Sequence, residues 1–316
     1  MLPPNKSHCG AEGEILLSYD CAIIGGGPAG LNAALVLGRA RRSVALFDNS
    51  QPRNAVTHAS HGFITRDGVT PAEFRRIAYE EVLRYPSVER LPWEVTEIRR
   101  TDNGFAVATA AGKPFEARKL LIATGLREVF PDIPGLRECY GTSLFNCPYC
   151  DGWELRDQPL IVVSENSGVY HMAKLLYTWS KDLVICTNGH AVLDADQIQL
   201  LKSRNIEVVE QAVAKFIGHE GKLRQVEFAD GTRIERTGGF VTPEWKPKAT
   251  FQGSLGYEVN EFGGIATNEW GKSTVPGLYA AGDAAYVMPS QLIYAAAGGS
   301  KAAIGINMEL TEEEFA

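Results

Sequence analysis

Two thiols, Cys147 and Cys150 in the run CPYCDGW, stand at a spacing that suits chemistry. A C-x-x-C pair lets one sulfur attack a disulfide and the other resolve the mixed intermediate. Metal binding asks for two more ligands at similar spacing, and neither Cys139 nor any His completes such a set. Six cysteines in a 316-residue chain, of which only this pair is close in sequence, do not read as an extracellular disulfide framework. The alternative is two buried thiols without chemistry. A redox pair needs an electron partner, and a second motif supplies a place for one.

That motif is GGGPAG, which sets Gly25, Gly27 and Gly30 in the G-x-G-x-x-G pattern after a short buried strand at 19–24 and into a helix at 28–40. Gly25 permits the tight turn, Gly27 lets backbone approach a pyrophosphate, and Gly30 lets helix and strand pack closely. The phosphates would rest on the free N–H groups of the helix start. Asp48, at the end of the next strand at 43–48, suits ribose hydroxyls.

The elements that must hold these groups repeat. After Thr70-Pro71-Ala72-Glu73 a capped helix is expected to about residue 85. Strands follow at 93–98, 105–110 and 119–124. A second unit then begins: strand 160–163, turn 164–168, helix 169–180, strand 183–187. Ser164 falls on Gly25 and the two units align without a gap, so the chain carries two dinucleotide-type units. A hairpin turn at 228–232, strands at 264–267 and 278–283, and a final helix at 291–308 complete the reading. The fold class expected is α/β, with two Rossmann-like (three-layer ββα) domains, the second inserted into the first. The boundaries are 1–125 and 243–316 for the first domain and 126–242 for the inserted one.

Composition narrows the function. Hydrophobic residues at 45%, charged residues at 22% and a net charge of −7 describe an ordinary globular protein. No basic run longer than two residues appears, which argues against nucleic acid. The uncharged stretch 21–38 is broken by glycines and a proline, so no membrane span is expected, and the N-terminal residues read as a loose tail without a secretory segment. The expected location is the cytoplasm.

The run TVPGLYAAGD, ending in Gly282-Asp283 before a helix, says which dinucleotide. With GGGPAG, Ala123-Thr124-Gly125 and CPYCDGW, it resembles the flavin-dependent disulfide oxidoreductases, specifically the low-molecular-weight thioredoxin reductases, over about residues 18–310. The resemblance implies FAD in the first unit, held by Gly25, Gly27, Pro28, Ala29, Gly30, Asp48, Ala123, Thr124, Gly125, Gly282 and Asp283. Asp283 would take the ribityl or phosphate region, and the helix opening at Gln291 and Leu292 would aim its N-terminus at the flavin pyrimidine ring. In the loop QPRN, Arg53 and Asn54 would reach the phosphates, and His61 the isoalloxazine or a substrate. It further implies that Cys150 faces the flavin, that Cys147 exchanges with substrate, that Asp151 moves the proton, and that the protein is a homodimer.

The second unit lacks the cradle. Gly25, Gly27 and Gly30 become Ser164, Asn166 and Val169, with Glu165 adding negative charge where phosphate would lie. Glu165, Asn166 and Ser167 can themselves satisfy the helix N–H groups. Thr187 replaces the ribose acid, and no Lys or Arg occurs between Lys181 and Lys202 to grip a 2′-phosphate. The expectation is therefore a thioredoxin reductase-like enzyme that passes electrons between FAD, Cys147-Cys150 and an external thioredoxin-like protein or small dithiol, without using NADPH directly. The donor would be ferredoxin or a second flavin. Asp151 matches the reductases, whereas Pro148, Tyr149 and Trp153-Glu154 resemble the oxidase branch, so an oxygen-dependent dithiol oxidase making hydrogen peroxide stays open. A third reading is a non-catalytic flavoprotein redox sensor.

Overall fold

The structure, a computed structural model, describes residues 6–9, 15–112, 114–287 and 290–316. It divides into two compact units: Met1–Ala55, Ala72–Arg127 and Trp245–Ala316 form the first, and Val56–Pro71 and Glu128–Glu244 the second. The segment Val56–Pro71 groups with the inserted unit, whereas the expected boundaries place it within 1–125 of the first domain.

In the first unit an eight-stranded sheet runs in the order Val88–Leu91, Val44–Phe47, Ile15–Ile24, Pro114–Ile122, Gly104–Thr109, Val95–Thr101, with Leu278–Ala280 also pairing in parallel with Pro114–Ile122. Strand alternation divides its apolar side chains between two cores. Ala22 and Ile24 face Phe47, Phe105, Phe115 and Leu278, while Cys21 and Ile23 face Ala33, Leu37, Tyr279 and Ile306. A strand buried on both faces has to be apolar, which is why 21–24 reads as a continuous run. The helices Pro28–Arg39 and Leu292–Phe315 cover one face, the second presenting Gly299, Ala302, Ala303 and Ile306 as its buried side.

The second unit repeats the plan with a five-stranded parallel sheet, ordered Glu207–Val209, Leu183–Cys186, Leu160–Val163, Gly238–Val241, Leu144–Phe145. All four residues of Leu160–Val163 are buried. Leu160 and Val162 pack on Val169, Ala173 and Leu176 of helix Gly168–Leu176, and Ile161 and Val163 on Phe216 and Val226 of a three-stranded antiparallel sheet. Full burial of each such side chain contributes about 1.5–3 kcal/mol.

Several expectations need correction. Residues 264–267 make only isolated bridges, Val259 to Ile265 and Thr267 to Ser273, because a loop rather than a neighbouring strand lies beside them. Of the N-terminal tail, Lys6–Cys9 forms a strand antiparallel to Ile15–Ile24, while 1–5 and 10–14 lie outside the described residues. The final helix runs to Phe315, well past 308. A helix at Ala195–Ser203 was not foreseen, although Asp194 and Gln197 form its capping box and were legible as one.

Candidate functional site

In the first unit the parallel strands end together at Ile24, Phe47, Ile122 and Ala280, and a cavity of ≈ 390 Å³ opens beside these carboxyl ends. Its lining includes Gly25, Gly27, Pro28, Ala29, Asp48, Arg53, Asn54, Ala123, Thr124, Gly125, Gly282, Asp283, Gln291 and Leu292. Most residues singled out from sequence are thus brought to one place by the ends of four strands and two helices.

The glycines have separate jobs. Gly25 sits at φ +118°, and a Cβ there would overlap the Ala123 carbonyl. A Cβ on Gly30 would overlap the Gly25 carbonyl, so this residue packs the helix on the turn and does not line the cavity. At Gly27 a Cβ would meet nothing within 4 Å. No protein group demands a bare position there, whereas a phosphate chain lying on the backbone does. The helix start is capped by no side chain, Gly27 being its N-cap and Pro28 its first residue, so its amides are free for an anion.

Gly26 has a reason that sequence reasoning missed. A Cβ there would collide with Asp48 and the Tyr79 hydroxyl, which lie against it. Asp48 is 6% exposed; Arg75 Nη2 donates to its Oδ2 at 2.7 Å, Tyr79 OH donates to the same oxygen, and Ser50 N donates to Oδ1 at 3.0 Å. Burial works against the charge, but the hydrogen bonds and the Arg75 guanidinium outweigh it and hold the carboxyl below the ordinary Asp range. Arg75 and Tyr79 stand four residues apart on helix Pro71–Val82, and that spacing was the one available signal.

At the other end Asp283 accepts from Arg53 Nη2 at 3.1 Å and from Ser290 Oγ at 2.5 Å, and Arg53 lies over the Trp245 ring at 5.0 Å. The arginine expected to reach phosphate is thus tied to the expected flavin acid. Gln291, the N-cap of helix Leu292–Phe315, makes no side-chain capping bond, leaving that helix start open to the cavity.

The redox pair lies in the second unit. Cys147 and Cys150 are joined in a disulfide with Cα atoms 5.3 Å apart, Cys147 being the N-cap of the single helical turn Pro148–Asp151 that carries Cys150. Burial, and then the Glu154 carboxylate, push Asp151 up to about 7, with His61 acting in the opposite sense. His61, expected at the flavin, belongs to this second unit, with Nδ1 3.5 Å from Asp67 Oδ1 and Nε2 3.6 Å from Glu154 Oε1. Beside the disulfide Tyr149 and Trp153 are 64% and 65% exposed, Tyr149 standing edge-on to Trp179 and Trp153 under the Arg156 guanidinium. Cys21, Cys139 and Cys186 are buried free thiols, and burial pushes each of them up.

The second glycine-turn position is a structural equivalent of the first with different contents. Gly25 N donates to Phe47 O at 2.8 Å, and Ser164 N to Cys186 O at 3.1 Å. Asp48 N donates to Leu91 O, and Thr187 N to Val209 O, each at 3.0 Å. Yet Ser164 does not share the positive φ of Gly25. Asn166 Oδ1 accepts from Gly168 N at 2.9 Å at the helix start, Glu165 Oε1 accepts from Asn188 Nδ2 at 2.6 Å, and Val169 is fully buried where Gly30 would stand. The buried hydroxyls of Ser164 and Thr187 have no hydrogen-bond partner.

The sequence matches the family model for pyridine nucleotide-disulphide oxidoreductases over residues 19–299. A Bacillus anthracis structure named for thioredoxin reductase TrxB is 48% identical, covering 94% of this chain and 99% of that one, with a TM-score of 0.90. An oxidoreductase structure from Agrobacterium tumefaciens is 32% identical over 93% of this chain and 99% of its own, with a TM-score of 0.87. Thioredoxin reductase aclD of Aspergillus oryzae is 31% identical, covering 94% of this chain and 98% of that protein. Such relatives imply a flavin, and the bare backbone at Gly27 and the uncapped helix starts fit its phosphates and ring. No helix among the described residues is long and apolar enough to cross a membrane. With two Rossmann-like units and a C-x-x-C disulfide, the chain belongs to the pyridine nucleotide-disulphide oxidoreductase family, as a thioredoxin reductase-like disulfide oxidoreductase.

Proposed function

We propose that the protein is an FAD-dependent thiol–disulfide oxidoreductase that moves two electrons between FAD and the Cys147-Cys150 pair, and on to an external thioredoxin-like protein or small dithiol, without taking them from NADPH. The bound flavin supplies reversible two-electron transfer. Gly25 to Ala29 and the amides of helix Pro28–Arg39 hold its pyrophosphate, Asp48 its ribose, and Asp283, Gln291 and Leu292 its flavin end. Asp151 holds and moves the proton of the sulfur pair, for which a carboxyl titrating near neutrality is suited.

The observation that carries the NADPH-independent reading is the second turn. There the Asn166 side chain occupies an amide at the helix start, Glu165 adds a carboxylate next to it in sequence that accepts from Asn188, Thr187 stands where the ribose acid would, and no Lys or Arg occurs between Lys181 and Lys202. An anion would meet side-chain charge in place of free N–H groups. The donor is then a reduced electron-transfer protein such as ferredoxin, or a second bound flavin. Anaerobic mixing with NADPH tests this: the flavin absorbance stays unchanged, and rapid bleaching overturns the reading.

A second reading, an oxygen-dependent dithiol oxidase making hydrogen peroxide, is favoured by Pro148, Tyr149 and Trp153-Glu154. An oxygen electrode separates the two, since only the oxidase consumes oxygen when a dithiol is added. We place the enzyme in the cytoplasm as a homodimer. Tyr294, Ile304 and Met308 leave an exposed apolar stripe on the last helix that suits a second copy, and sedimentation measures the state.

A further inference from the structure

The acid at the ribose end of the first cavity has most of its acceptor positions filled by the protein itself. A carboxylate offers about four lone-pair sites, divided between its two oxygens. On Asp48, Oδ2 accepts from Arg75 Nη2 at 2.7 Å and from the Tyr79 hydroxyl, while Oδ1 accepts from Ser50 N at 3.0 Å. Oδ2 is therefore saturated and one site remains, on Oδ1. Among the described residues no other donor reaches this carboxylate. The donors are held in turn. Arg75 Nη1 donates to Gly26 O at 3.2 Å, which ties the acid to the glycine turn. Arg90, on strand Val88–Leu91, lies 4.2 Å over the Tyr79 ring and donates to Ser50 Oγ at 2.9 Å, so one cation steadies the donors to both oxygens. Arg75 lines the cavity with Asp48, whereas Tyr79 does not line it and acts on a ligand there through Asp48.

We propose that Arg75 and Tyr79 are positioning residues that fill Oδ2 of Asp48 and leave Oδ1 to accept from one hydroxyl, and only one, of the adenosine ribose of FAD. The inference rests on the FAD reading above. An unclasped carboxylate accepts from two vicinal hydroxyls, one at each oxygen, and a saturated Oδ2 forbids that arrangement. The clasp also orients the acid before any ligand arrives, so its side chain has no rotamer freedom left to lose on binding. Gly26 fits the same account. The G-x-G-x-x-G pattern leaves that position open to any residue, yet a Cβ there would stand 2.3 Å from the Tyr79 hydroxyl and 2.4 Å from Asp48 Cγ. The space beside the turn is taken by the clasp, which is why a third glycine stands in the motif.

The test titrates the full-length chain, stripped of flavin, with FAD and with its 2′-deoxyadenosine and 3′-deoxyadenosine analogues, reading the change in flavin fluorescence. In wild type one analogue binds about tenfold or more weakly than FAD, as befits one hydrogen bond to a charged group, and the other binds as FAD does. Equal losses for the two analogues, or no loss for either, overturn the inference. Tyr79→Phe keeps the ring under Arg90 and frees one site on Oδ2, so the gap between the analogues narrows to less than about threefold. Arg75→Met frees the other site and narrows the gap likewise, which serves if Tyr79→Phe does not fold. A purely structural role for the clasp weakens all three ligands alike and leaves the gap as in wild type, and that result also overturns the inference. A wild-type chain that binds no FAD sinks the FAD reading itself, and the inference falls with it.

Discussion

The chain builds the same turn twice and uses it in opposite ways. At Gly25 to Gly30 the backbone is bare: a positive φ, an open position at Gly27 and an uncapped helix start leave a cavity for an anionic ligand. At Ser164 to Val169 the same strand ends and ladder hydrogen bonds remain, but side chains take the amide, the charge and the space. A nucleotide cradle is therefore a property of unoccupied backbone and not of the βαβ fold that carries it. Gly26 sharpens the contrast. It must be glycine because Asp48 and Tyr79 lie on it, while its counterpart Glu165 carries a side chain that accepts from Asn188 and lies 3.9 Å from His190.

The largest expected effect comes from copying the second turn into the first. Gly25→Ser adds a Cβ that overlaps Ala123 O at a φ costing about 1–3 kcal/mol for a non-glycine residue. The purified protein should lose its flavin and melt at lower temperature, as absorbance and calorimetry would show; retained flavin would break the comparison. Cys150→Ser comes next, because it leaves the first unit untouched. Flavin content should equal wild type while dithiol-driven bleaching falls to background, and undiminished bleaching would remove the pair from the electron path.

Asp48→Asn probes the ribose end and has a worked pH dependence. The folded carboxyl titrates below its unfolded value, so the stability it contributes is present above the ordinary Asp range and is lost as pH falls through the lowered folded value. The variant should be less stable than wild type by about 1–3 kcal/mol at neutral pH, with the Arg75 guanidinium left without its carboxylate partner. The gap should narrow in acid, which urea titrations at two pH values would reveal. The smallest effect belongs to the counterpart. Thr187→Val removes a buried hydroxyl that has no hydrogen-bond partner, so its stability should change by less than about 1 kcal/mol, or rise slightly.

Much of this was legible from residue order. Leu160–Val163 reads as a buried parallel strand because a strand covered on both faces admits no polar side chain, and it is one. The glycine spacing, the dithiol and Gly282-Asp283 each marked a place in the fold, and most of their residues meet at one cavity. Other features depend on contacts distant in sequence. The Arg75 and Tyr79 clasp on Asp48 needs helix Pro71–Val82 laid across the turn, and residues 264–267 have the pattern of a strand but find only isolated bridges to Val259 and Ser273. Val56–Pro71 carries few apolar residues at a fixed period, so its membership of the second unit and the placing of His61 left no pattern to read.

Sequence alone determined the class of fold, the duplicated unit and the asymmetry between its copies, because period, glycine position and side-chain charge are local properties that each residue carries with it. Tertiary structure decided which groups act on one another. Arg75 reaches Asp48, Arg53 turns to Asp283, and His61 meets Glu154 beside the disulfide acid. Electrostatic influence falls with distance through space and takes no account of separation along the chain, so only the folded arrangement could assign these partners.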